Sequence, residues 1–233
     1  MTTDSALQIR GLRFGYEPGQ TIIDIAEFTV QKGESIFLRG PSGSGKSTLL
    51  GLIGGVLTPG AGSVSISGQD TTKISAGRRD QIRANHLGII FQQFNLLPYL
   101  SVIQNCILPC RFSAMRKERA ISMSGSVVEA AQHLVRNLGL SDEHLSRPVG
   151  ELSVGQQQRV AVARALIGGP DLIIADEPTS ALDHDNRDRF IELLNAQRAA
   201  FNSSLLFVSH DSTLASHFDR AASLTELNQT VAA

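Results

Sequence analysis

Nine consecutive residues, Gly40-Pro41-Ser42-Gly43-Ser44-Gly45-Lys46-Ser47-Thr48, constrain this chain more than any other stretch. They fill every fixed position of the pattern G-x-x-x-x-G-K-[ST], in which small residues let backbone N–H groups converge on an anion. The flanks have the order such a loop needs. Ser35-Ile36-Phe37-Leu38 leads in as a short apolar strand, and Leu49-Leu50-Gly51-Leu52-Ile53 follows at helical spacing. The helix therefore directs the positive end of its dipole at the loop. The pattern predicts a polyphosphate site in an α/β core. Lys46 acts there as a point charge on the outer phosphates, and the Ser47 hydroxyl as a ligand to an accompanying magnesium ion.

Length and composition bound the rest. A chain of 233 residues suits one sizeable domain, and a formal net charge of -1 gives no general pull toward nucleic acid or anionic lipid. No nucleic-acid partner is expected. No run approaches the roughly 18 apolar residues of a membrane helix. Met1-Thr2-Thr3-Asp4-Ser5 lacks a charged start followed by an apolar signal region, so a soluble, cytoplasmic chain is expected. Cys106 and Cys110 are too few for a disulfide framework. Pro109 between them argues against an ordered metal pair on one helix, so both read as buried or incidental thiols.

In chain order, Leu7 to Phe14 and Ile22 to Val30 alternate apolar and polar residues around a turn at Glu17-Pro18-Gly19-Gln20. They predict a small antiparallel sheet ahead of the core. Tyr16 ends the first strand; it can cap the sheet edge, the simpler reading, or stack on a base. Gly62-Ser63-Val64-Ser65-Ile66 reads as a strand, followed by a polar stretch to about Asn85. Leu87-Gly88-Ile89-Ile90-Phe91 is a buried parallel strand that stops at Gln92-Gln93. From Ser101 to Leu140 the period becomes helical, with Val127, Ala131, Leu134, Val135 and Leu138 on one face. This predicts a helical subdomain inserted into the α/β core. Arg116-Lys117-Glu118-Arg119 reads as a solvated helix face within it.

Ser153 and Gln156 then form an S-x-x-Q capping box ahead of the apolar Val160 to Leu166. On local physics this is an ordinary helix start, or a second anion site. Leu172-Ile173-Ile174-Ala175-Asp176-Glu177-Pro178 is an aliphatic strand ending in two carboxylates. Downstream of a phosphate loop, that places Asp176 to orient a magnesium ion's water shell and Glu177 to polarise an attacking water. Leu205 to Val208 is another strand, ending at Ser209-His210-Asp211. Gln92, Asp176, His210 and the phosphate loop all follow strand ends, the edge where open α/β sheets bind ligands. His133, His144, His184 and His217 lack that placement and are assigned no chemistry.

Together these stretches resemble the ATP-binding cassette family, the nucleotide-binding subunits of ABC transporters, over nearly the whole length. Leu152 to Gln156 resembles the signature L-S-G-G-Q, with Val154 in place of its first glycine, and Ser180-Ala181-Leu182-Asp183 resembles the D-loop. The wording Ala175-Asp176-Glu177-Pro178-Thr179, the segment Phe91 to Pro98 and the expected lack of a C-terminal regulatory domain are most similar to the lipoprotein-release and macrolide-export group.

The resemblance implies one cassette over residues 1–233. Its ATPase core with an antiparallel β-subdomain takes about 1–92 and 150–233, and its helical subdomain about 99–147. It also implies a homodimer arranged head to tail, closed by two ATP molecules. Each would lie on the Gly40 to Thr48 loop of one chain and against Ser153, Gly155 and Gln156 of the other. Tyr16 would stack on adenine, displacing the edge-cap reading. Gln92 would join the magnesium and the attacking water to the membrane subunit, Glu177 would be general base, His210 would contact the γ-phosphate, and Asp183 would bridge the two chains. Tyr99 to Arg147 would grip a transmembrane permease at the cytoplasmic face of the membrane. The function implied is ATP hydrolysis driving export or extraction of lipid, lipoprotein or drug. Its rivals are the ATPase of an amino-acid importer and a regulator of a cell-envelope protein; a soluble cassette protein acting on DNA or in translation is disfavoured.

Overall fold

The computed structural model describes residues 5–180, 182 and 184–231. Ala181 and Asp183 of the D-loop stretch lie outside the described residues. The chain opens with a hairpin of β1 (Ser5–Phe14) and β2 (Ile23–Gln31), paired antiparallel with Ile9 opposite Phe28. Then come β3 (Ser35–Arg39), α1 (Lys46–Ile53), β4 (Ala61–Ile66), β5 (Gln69–Asp70), α2 (Ala76–His86) and β6 (Leu87–Ile90). Three helices follow, α3 (Val102–Phe112), α4 (Ala114–Ser124) and α5 (Val127–Asn137). The chain continues with α6 (Val154–Leu166), β7 (Leu172–Asp176), α7 (His184–Ala200), β8 (Ser204–Ser209), β9 (Arg220–Ser223) and the short α8 (Leu224–Leu227).

Two sheets result. One is antiparallel, in the order β2-β1-β4-β5; the other is five-stranded, in the order β6-β7-β8-β3-β9, with every described pairing parallel. β8 pairs with both β7 and β3, so the strands carrying Asp176, His210 and the phosphate loop end side by side. Side chains alternate along β3, and this divides the core. Ile36 and Leu38 join Leu7, Ile9, Leu49 and Leu52 on the face toward the antiparallel sheet and α1. Phe37 joins Phe207, Val160, Leu134 and Leu194 on the face toward the helices. Each such side chain contributes about 1.5–3 kcal/mol by leaving water.

The helical stretch is as the sequence predicts. Its helices start on Ser101, Ser113 and Ser126, each accepting a backbone N–H from within the first turn. The structure adds to or alters three local readings. The polar stretch before Asn85 contains α2, which buries only Ile82 and His86 and so shows almost no apolar stripe. Cys106 and Cys110 are buried thiols as expected, but Pro109 lies inside α3 and leaves both on one helix, one turn apart. Of the Arg116 to Arg119 run, Lys117 and Glu118 are exposed as expected, but the two arginines turn inward. Arg116 is 2% exposed and donates to the Leu87, Ala165 and Ile167 carbonyls, while Arg119 reaches the Gly169 carbonyl and Asp171.

Candidate active site

The phosphate loop turns on left-handed glycines, Gly43 at φ 80° and Gly45 at φ 93°. The positive φ is what favours glycine at Gly45, where a β-carbon would also come within 2.9 Å of Ile23 Cδ1, the tip of a side chain that can shift. Gly40 and Pro41 turn their carbonyls to Lys46 Nζ, at 2.7 and 3.1 Å. Ser42 is exposed and Ser47 is exposed beside it, whereas Ser44 Oγ is buried without a hydrogen-bond partner among the described residues. A buried hydroxyl left unpaired in this loop of small residues fits a cradle for a polar guest. Thr48 Oγ1 lies 3.3 Å from the Tyr16 hydroxyl. The Tyr16 ring, 61% exposed, stands edge-on to Phe14 at the rim of the loop.

Lys46 Nζ also lies 3.4 Å from Glu177 Oε1, and Glu177 Oε2 lies 2.7 Å from His210 Nδ1. One residue from each of three strand ends thus meets in a single chain of contacts. Glu177 adopts φ 43°, a left-handed conformation costly for a side chain, held by its N–H donating to the Val208 carbonyl. Asp176, one residue earlier, has its carboxyl pKa raised by burial and by Glu177, with Lys46 opposing. It sits where a positive ion would relieve it. Ser47, Asp176 and Gln92 all offer hard oxygen donors, the chemistry magnesium takes. Gln92 is exposed just past the end of β6 on the same sheet edge. Cavities of about 670 and 290 Å³ flank His210, the first lined by Arg39, Ser42 and Lys46, the second by Glu177, Thr179 and Arg187.

Ser153, Gly155 and Gln156 form a separate group at the tip of α6. Both halves of the capping box are made: Ser153 N–H donates to Gln156 Oε1 at 2.9 Å, and Gln156 N–H to Ser153 Oγ at 3.3 Å. Val154 is the first helical residue and is 53% exposed. A β-carbon on Gly155 would meet open space, so this tip presents itself outward.

Sequence reading passed over two side chains that tie α6 to the site. Gln158 Nε2 donates to the Pro178 carbonyl at 2.8 Å, beside Glu177. Arg164 donates to the Phe94 and Asn95 carbonyls at 2.5 and 2.6 Å, fixing the left-handed turn that follows Gln92. Arg164 gave a signal, a charge within the apolar run Val160 to Leu166, whereas Gln158 was lost in the polar run Gln156 to Arg159. Arg187, which pairs with Asp211 next to His210, carried none.

A phosphate loop, a strand ending in paired carboxylates and a capped helix tip within one α/β unit define a nucleoside-triphosphatase cassette. The sequence pattern of the ABC transporter family matches residues 23–180, and the chain belongs to that family. It is 37% identical over 226 residues to the macrolide export ATP-binding/permease protein MacB of Rhodopseudomonas palustris (strain BisB18), covering 95% of this chain and 33% of that protein. The chain thus spans about a third of the length of that relative. It is 35% identical to the lipoprotein-releasing system ATP-binding protein LolD of Shewanella frigidimarina, covering 100% of this chain and 95% of the other. Among solved structures, the dimeric post-hydrolysis ATP-binding cassette MJ0796, bound to ADP and Pi, superposes with a TM-score of 0.77 at 30% identity over 93% of each chain. No described helix is long and apolar enough to cross a membrane.

Proposed function

We propose that this chain is the ATP-hydrolysing subunit of a membrane complex that exports or extracts lipid, lipoprotein or drug, and that it works at the cytoplasmic face of the membrane. The observation that carries the reading is the convergence of Lys46, Glu177 and His210 at 3.4 and 2.7 Å on one sheet edge. Residues Gly40 to Thr48 hold the phosphates, Lys46 neutralises developing charge on the outer oxygens, and Tyr16 covers the base. Glu177 accepts a proton from the attacking water. His210, hydrogen-bonded to Glu177, keeps that carboxylate aimed and faces the γ-phosphate. Ser47, Asp176 and Gln92 would hold magnesium, which when bound neutralises phosphate charge. Ser153, Gly155 and Gln156 face the nucleotide of a second copy, so that ATP closes a head-to-tail dimer and hydrolysis opens it; Asp183 belongs to the same interface.

The core of residues 1–92 and 150–233 does the chemistry, and residues 99–147 carry the contact with a transmembrane permease. A groove between α2, β6, α3 and Arg164, lined by Phe91, Pro109 and Phe112, supports that division. Phe112 is 72% exposed there, which suits a hydrophobic partner segment. The export reading is supported by the macrolide-export and lipoprotein-release relatives. Affinity purification from membranes tests it. A permease with four transmembrane helices and a large extracytoplasmic domain is the expected partner, whereas a compact permease with a solute-binding protein would contradict it.

A further inference from the structure

His144 lies outside every motif named above, in the short turn Asp142–His144 between α5 and α6, yet its side chain is only 13% exposed. The hydrogen-bond roles around it are forced in sequence. The Ser153 backbone N–H can only donate, so Gln156 Oε1, 2.9 Å away, is fixed as acceptor. The Gln156 NH2 group then faces His144 Nε2 at 2.9 Å. Nε2 must therefore be the unprotonated nitrogen. The proton sits on Nδ1, donated to Ser141 Oγ at 2.7 Å, and Ser141 donates its own to Glu143 Oε1 at 2.9 Å. Only the neutral Nδ1–H imidazole closes this chain. An imidazolium would set Nε2–H against NH2, and Gln156 could not turn its oxygen to the ring without abandoning the Ser153 N–H.

We propose that His144 is the positioning residue of the signature tip. By holding the Gln156 amide in its capping orientation it keeps Ser153 and Gly155 aimed outward. The proposal rests on the reading that this tip meets the nucleotide of a second copy. The charged groups near the ring are Glu143, 3.9 Å from Nδ1 on the same turn, and the Arg136–Asp142 pair at the end of α5. Arg159 of α6 turns instead to the Leu138 carbonyl.

The test uses the full chain with Glu177→Gln as background, so that ATP persists, and measures MgATP-dependent dimerisation by light scattering at pH 8. Adding His144→Ala should weaken the dimer about fivefold to tenfold at pH 8, the size of a lost cap, with MgATP binding by the monomer unchanged. His144→Gln should restore it, because the new amide oxygen offers an acceptor at the reach of Nε2. Equal dimerisation of the alanine variant and the protein that keeps His144, or failure of His144→Gln to rescue, would overturn the proposal. If the Glu177→Gln background stays monomeric with MgATP bound, the head-to-tail reading itself fails, and this proposal with it.

Discussion

Val154 opens α6, and that explains how a β-branched residue can stand where the family signature has glycine. The position needs an ordinary helical φ, which valine adopts, and the side chain points into solvent. The groups aimed outward at this tip are the Ser153 hydroxyl and the Gly155 N–H, to which Val154 adds nothing. Val154→Gly should therefore change the ATPase rate by less than about tenfold, equivalent to about 1.4 kcal/mol. A larger gain in steady-state turnover would show the valine to be a brake. This much was legible in the sequence, because a capping box is a local pattern of four residues. The partner of Gln156 was not. His144 reaches it from a turn whose position depends on how α5 docks, and neither spacing nor periodicity encodes that.

Among the elements, α4 is anchored by a buried charge. Burial lowers the Arg116 pKa to about 10, so the guanidinium remains charged at neutral pH, and its partners are carbonyls at the end of α6 and at the start of β6. Replacing it with an apolar side chain of similar length leaves those carbonyls buried and unpaired. Arg116→Met should cost about 3–5 kcal/mol in a urea unfolding measurement. A cost under about 1 kcal/mol would show that water can replace the guanidinium. The charged run around Arg116 looked like a solvated face because composition cannot reveal which of four neighbouring charges turns inward. The helix α2 escaped detection for the complementary reason: it has no apolar stripe to show. The strands and the phosphate loop were readable because burial on both faces of the parallel sheet forces continuous apolar runs, and left-handed turns force glycine.

At the scale of the whole molecule, Asp171 joins separate parts of the fold. It accepts hydrogen bonds from Ser67, beyond β4, and from His86 at the end of α2, and pairs with Arg119 of α4. Burial works to raise its pKa, but the bonds from His86 and Ser67 and the charges of His86 and Arg119 outweigh that and hold it at about 2. The folded value lies below the unfolded one, so the stabilisation is present above about pH 4 and is lost as pH falls toward 2. It amounts to about 2 kcal/mol. Unfolding free energies measured from pH 5 to pH 2.5 should fall by about that order, and Asp171→Asn should flatten the slope. An unchanged slope would place the acid sensitivity elsewhere.

The fold brings Lys46, Glu177 and His210 together from strand ends far apart in the chain, and the central claim is that Glu177 is the proton acceptor of an ATPase there. The decisive measurement is the steady-state ATPase rate of Glu177→Gln beside its MgATP affinity. The substitution keeps the shape of the side chain and removes only proton acceptance. Turnover should fall by about 10²–10⁴-fold with MgATP affinity nearly unchanged. Turnover within about threefold of the unaltered protein, with MgATP still bound, would contradict the account.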